Sequence, residues 1–166
     1  MAAKKLNNND LINDVEFLAD FQLLVGTVFR FNGALLGISE KICSNDKLIT
    51  VPIWRIIAVI RRQPMTVSAI GYYLGLKRQS IQVTVNQMKK LGLVTLRQNP
   101  MHKKSFLIAL TPKGQKAIEQ IYEYQKSLTE FFIKDLELSI TDTIKTTEFL
   151  KTLRENSKKN LKKSLN

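Results

Sequence analysis

Three stop signals near the middle of the chain limit what it can fold into. Gly75 closes a short segment that opens at Thr66, and Gly92 closes a second that opens near Arg78. Asn99-Pro100 begins a polar turn between Leu93–Gln98 and Ser105–Leu110. Glycine is favoured just past a helix end because that position takes a left-handed backbone, so the first two signals bound two short helices. The runs on either side of Asn99 have strand character, and Asn-Pro starts turns, so the third signal predicts a hairpin with a loop longer than two residues. Two short helices joined tightly, with a hairpin straight after the second, predict a winged helix-turn-helix.

The flanks read as helices. Leu11, Val15, Leu18, Val25, Phe29 and Leu36 recur at steps of three, four or seven, and Phe17, Phe21, Leu24, Val28 and Phe31 widen the stripe. That period belongs to a helix with a buried side, and a helix apolar over so much of its circumference needs cover from more than one direction. Asp20, Gln22, Arg30 and Asn32 interrupt the most apolar window, Phe17 to Ile38, and would be costly in a bilayer centre, so no membrane partner is expected. After the break "ICSNDKLI", Thr50 can cap a helix from Val51 to about Arg62. Its first turn tolerates Pro52, and Trp54, Ile57 and Val59 or Ile60 lie on its inner side. Past the hairpin, Thr111-Pro112 opens a long helix carrying Ile118, Ile121, Leu128, Phe132 and Leu136 along one side. Ser139 to Asp142 opens the last helix, whose lysine-rich end from Lys158 onward is expected to fray. The fold class is mainly α with a small β-hairpin wing, in three segments: 1–48, 49–114 and 115–166.

Charge singles out the middle segment. The net charge is +12, and residues 61–116 carry eleven Lys and Arg and no acid, whereas residues 1–60 balance six against six and 117–166 nine against eight. Solvated surfaces usually mix signs to limit self-repulsion, so a one-sign block favours a polyanionic partner. A single cysteine, Cys43, excludes an internal disulfide, and with one histidine there are too few ligands for a structural zinc site. No metal and no cofactor are expected. Low cysteine usage and a polar start, "MAAKKLNNND", fit a reducing cytoplasm. A catalytic role for His102 would require a nearby carboxylate or nucleophile, and its block holds no acid, so the chain does not read as an enzyme.

The fourth helix can be tested against the demands of base reading. At 100° per residue, Ile81, Val85 and Met88 fall within roughly 60° of one another, with Thr84 near them. The opposite side collects Gln79, Gln82, Val83, Asn86, Gln87 and Lys90, with Ser80 in the same segment. Gln and Asn can bond adenine bidentately, a small apolar residue such as Val83 can touch a thymine methyl, and Lys77, Arg78, Lys89 and Lys90 sit near the ends, where phosphates lie. At the hairpin, Arg97, His102, Lys103 and Lys104 form a basic prong suited to a narrow minor groove.

"ITVPIWRIIAVI", "MTVSAIGYYLGLKRQSIQVTVNQMKKLGLV" and "RQNPMHKKSFLIALTPKG" resemble, in order, the second helix, helix-turn-helix and wing of the multiple-antibiotic-resistance-regulator (MarR) family. The resemblance covers Ile49 to Gly114. It implies a homodimer built by the first and the last two helices, which would set two recognition helices roughly 34 Å apart on a near-palindromic double-stranded DNA operator. It also implies transcriptional repression, released by a small, commonly aromatic or anionic, effector bound between the dimerisation and DNA-binding regions. The alternative is an architectural or RNA-binding winged-helix protein that reads no sequence. The family wing usually has Asp-x-Arg where this chain has His102-Lys103-Lys104, an Arg is common at Val83, and Ala is usual at Gly71. Cysteines act as oxidation sensors in some branches, but only Lys41 stands near Cys43 to activate it, so no sensor is expected.

Overall fold

The structure is a computed structural model that describes residues 7–44, 46–102 and 104–164. Its elements run α1 (Asn8–Ile12), α2 (Val15–Cys43), α3 (Val51–Ile60), β1 (Met65–Thr66), α4 (Val67–Leu74), α5 (Arg78–Lys90), β2 (Val94–Gln98), β3 (Phe106–Leu110), α6 (Pro112–Ile133) and α7 (Ile140–Ser164). The mainly helical class with a small winged sheet follows the sequence. The chain divides into two compact units, Met1–Leu128 and Thr129–Asn166.

The core of the first unit is built on α3. Ile49, Ile53, Ile56 and Ile57 are almost wholly buried, and Ile70, Ile81, Val85, Met88, Leu93, Ile108 and Ile121 close around them from the neighbouring elements. Trp54 is 6% exposed and packs at 6.1 Å from the ring of Tyr124, so it belongs to this core as its helix position predicts. Thr50 does occupy the N-cap position of α3, but its side chain makes no capping hydrogen bond. Asp46 instead organises the loop before α3: its Oδ1 accepts from the backbone N–H groups of Leu48 and Ile49, and its Oδ2 accepts from the Tyr124 hydroxyl at 2.7 Å.

The capping signals around the helix-turn-helix operate as read. Thr66 Oγ1 accepts from Ala69 N at 3.1 Å to start α4, and Gly75, at φ 68°, ends it. Gly92, at φ 71°, turns the chain from α5 into β2. A β-carbon would be strained at both angles, which is why glycine punctuates the motif.

Other details also differ from the sequence reading, among them the long helix α6, which ends at Ile133, short of Leu136. The first helix is two helices, because Asp14 Oδ1 caps the N–H of Phe17 and sets off α1 from α2. The second of these runs on to Cys43, into the stretch "ICSNDKLI" that reads as the break. A two-residue strand, β1, forms immediately before the first of the two short helices, where the sequence reading placed no strand; it joins β3 antiparallel and completes a three-stranded sheet of order β1-β3-β2. The lysine-rich end is helical to Ser164, with its cations at the C-terminal, negative end of the α7 dipole.

By length and composition α2 is apolar enough to cross a membrane. Within the single chain its apolar side stays open: Val15 is 80% exposed, Phe29 74% and Leu23 62%.

Candidate nucleic-acid interface

The second helix of the motif, α5, is divided sharply between its two sides. Ile81, Val85 and Met88 are 2%, 0% and 0% exposed against the core, whereas Gln79, Gln82, Val83, Asn86, Gln87 and Lys90 are exposed. Thr84 lies between the two and turns its hydroxyl back to the Ser80 carbonyl. Ser80 and Thr84 flank a different hollow from Gln82, on the side of α5 that faces α3. Lys77 and Arg78 stand exposed at the start of α5, and Lys89 and Lys90 at its end.

On the other flank of α5 a groove of about 510 Å³ opens toward the wing. Arg78 and Gln82 border it from α5, Val67 and Ser68 from the first turn of α4, and His102 and Lys104 from the hairpin. The first turn of a helix adds partial positive charge, so backbone and side chains make this groove attractive to phosphate. Leu96 also borders it, and side chains alternate along a strand, so Arg97 stands on the opposite face of the hairpin. Lys103 lies outside the described residues. Among the described residues, no three His, Cys, Asp or Glu side chains gather as a metal ion would require.

The wing tip is braced by neutral groups. Asn99 Nδ2 donates to Ser105 Oγ at 2.9 Å, Asn99 Oδ1 accepts from Met101 N, and the Asn99 carbonyl accepts from His102 N. Sequence reasoning identified Asn99 as a turn starter and missed both the bridge and Ser105. Only the Asn99–Met101 bond was signalled, because Asn side chains bond backbone two residues on in turns.

Two smaller hollows lie on the far side of α3. One, of about 270 Å³, reaches between α2, α3, α4 and α5 and includes Glu40, Arg55, Ser80 and Thr84. The other, of about 190 Å³, is lined by Leu35, Trp54, Arg55 and Leu128. Arg55 borders both, and its guanidinium donates to the Leu74 carbonyl at 3.4 Å. The Cys43 thiol is buried in the core, and burial, reinforced by the negative charge of Asp46, pushes its pKa up.

Residues 49–105 match the MarR family profile. The chain is also 32% identical over 100 residues to an uncharacterised protein of Mycobacterium tuberculosis, a match that spans 60% of this chain and 69% of that one. The chain belongs to the MarR family. Solved structures carry the same fold. A MarR-family regulator from Listeria monocytogenes in complex with a 26mer DNA superposes with a TM-score of 0.68 at 20% identity, over 80% of this chain and 87% of that one. CouR from Rhodococcus jostii, bound to p-coumaroyl-CoA, gives a TM-score of 0.68 at 18% identity, over 87% and 94%. The chain thus has the DNA-binding winged-helix fold of MarR transcriptional regulators.

Proposed function

We propose that the protein is a cytoplasmic, homodimeric repressor that binds a near-palindromic operator through α5 and the wing and leaves it when a small ligand binds. The observation that carries this reading is the acid-free, amide-bearing outer side of α5, set beside a cationic groove. Gln79, Gln82, Val83, Asn86 and Gln87 choose the sequence, while Lys77, Arg78, Lys90 and the wing cations hold phosphates or enter the minor groove. The segments follow the same division: 1–48 and 115–166 dimerise, and 49–114 binds DNA.

The open apolar side of α2 supports a second copy of the chain as its cover, since exposed Val15, Leu23 and Phe29 would otherwise meet water. A small effector fits the hollows at Arg55 and Trp54, where a cation and an aromatic ring suit an aromatic anion. The Listeria protein's DNA and the CouR ligand support the two halves of this reading by analogy of fold.

The test is selection of bound fragments from a genomic DNA pool, followed by titration of the selected duplex against random competitor, with the mass of the free protein measured by sedimentation. Strong preference for one near-palindrome by a dimer is expected. Equal binding to random duplex would favour the architectural or RNA-binding alternative. Recovery of the protein in the membrane fraction would instead assign α2 to a bilayer.

A further inference from the structure

On the exposed side of α5, Gln82 Nε2 donates a hydrogen bond to Asn86 Oδ1 at 3.0 Å. The two residues are one helical turn apart, where side chains meet and amide pairs of this kind stabilise a helix. No Asp or Glu exists between residues 61 and 116, so this side of α5 orders itself through neutral amides that do not repel phosphate. The bond has a consequence for what each amide can offer a base. An amide NH₂ has two hydrogens, so Gln82 keeps one N–H and its Oε1 for a base edge. Asn86 has its carbonyl turned back toward Gln82, and it presents its NH₂ group outward.

We propose that Gln82 and Asn86 read DNA as one unit, in which Gln82 selects adenine and Asn86 selects a base that offers acceptors in the major groove, guanine or thymine. The inference rests on the reading of α5 as the groove-entering helix. Adenine matches Gln82 because it pairs an N6 donor with an N7 acceptor. Guanine offers N7 and O6, and thymine O4, to the outward N–H groups of Asn86. Cytosine turns only an amino group toward those hydrogens, and adenine sets its N6 amino group beside its single acceptor, N7, so both are disfavoured there. Four residues rise about 6 Å along a helix, so the two bases lie one or two pairs apart in the groove. Gln82 is the nearer of the two to the N-terminal end of α5, the end that contacts base edges in helix-turn-helix complexes.

The probe is a pool of randomised duplexes selected by the full-length wild type and by Gln82→Ala, Asn86→Ala and Asn86→Asp, with affinities then measured on single-base variants of the winning site. Circular dichroism melts check that each variant folds. The wild type is expected to select adenine and, one or two pairs away, guanine or thymine, each by roughly tenfold or more over the wrong base. Gln82→Ala should lose the adenine and, because it frees the Asn86 carbonyl, should also admit adenine at the second position. Asn86→Asp keeps the acceptor for Gln82 but has no N–H to offer, so it should hold the first adenine and switch the second position to cytosine, whose amino group donates. If Gln82→Ala leaves the second position unchanged, the two amides act separately and the inference is overturned while α5 remains the reading helix. If Gln82→Ala and Asn86→Ala both select the wild-type site with unaltered discrimination, neither amide reads a base and the inference falls alone; a wild type that prefers no sequence over random duplex would take the functional reading with it.

Discussion

Replacing Gly114 by alanine tests the joint at which the wing returns to helix. Gly114 is buried in the first turn of α6, and a β-carbon there would press into the Leu93 carbonyl oxygen, with the Leu93 carbonyl carbon at 3.0 Å and Leu110 Cδ2 at 3.1 Å. The obstacle is backbone and cannot rotate away. Moving it breaks the bond by which the same Leu93 carbonyl accepts from Thr111 N at 3.0 Å. Overpacking against fixed atoms costs about 3 kcal/mol and the broken bond about 1 kcal/mol, while alanine returns up to about 1 kcal/mol of helix propensity. The net expectation is a loss of about 3 kcal/mol. For a chain of this size that lowers Tm by roughly 6 to 12 °C at fixed protein concentration. Gly33→Ala is the control, because nothing lies within 4 Å of its added carbon; it should be neutral or stabilising by up to about 1 kcal/mol. Calorimetric or circular dichroism melts of both variants decide the matter. A Gly114→Ala protein as stable as Gly33→Ala would refute the close approach of α6 to the Leu93 carbonyl just before β2.

Removing Arg78 and Lys104 together, both to Ala, should weaken binding to every DNA sequence and flatten the slope of log K against log salt by about 1.8; an unchanged slope would mean the groove holds no phosphate. Cys43 in the native protein should react with a thiol reagent at least about tenfold slower than in denaturant, because the thiol is 6% exposed and its pKa is raised. Comparable rates would contradict its burial. Tyr124→Phe should cost about 1 kcal/mol near neutral pH by removing the bond to Asp46. Burial opposes ionisation of Asp46, but bonds from Tyr124, Ile49 N and Leu48 N outweigh it and hold the carboxyl below its ordinary value. The stabilisation is therefore complete above that ordinary value and fades as pH falls through the folded-state value, so the Tyr124→Phe deficit should narrow in acid. The Tyr124 hydroxyl is pushed up to about 12 by burial and by Asp46, so the wild type should also lose this contribution as pH climbs from about 10 to 12. Denaturant titrations across pH check both limbs, and a deficit constant into acid would exclude the carboxylate as partner.

Local punctuation explains why so much of the fold was legible. Thr66, Gly75, Gly92 and Thr111-Pro112 act through their own backbone angles and caps, which a sequence displays directly. The division of α5 into Ile81, Val85 and Met88 against Gln79, Gln82 and Asn86 followed from helical period alone. Features that depend on partners distant in sequence were hidden. Strand β1 exists only because Met65 and Thr66 find Ile108 and Leu107, more than forty residues on. Asp46 meets Tyr124 across 78 positions. The Asn99–Ser105 bridge and the Gln82–Asn86 bond are short-range, yet they select one among several amide orientations, and residue types do not announce that choice.

Thr66 belongs to two elements at once. It pairs with Leu107 as the last residue of β1, and its hydroxyl caps α4, which begins at the next position. No spacer separates strand from helix, so an inserted or deleted residue there would cost either the sheet pairing or the cap. Among the described residues of the wing tip between Gln98 and Phe106, none both ends one element and caps another. Across descendants of this chain, length variation is thus channelled to the tip, and the reach of the wing can be retuned while the joint that aims it keeps its register.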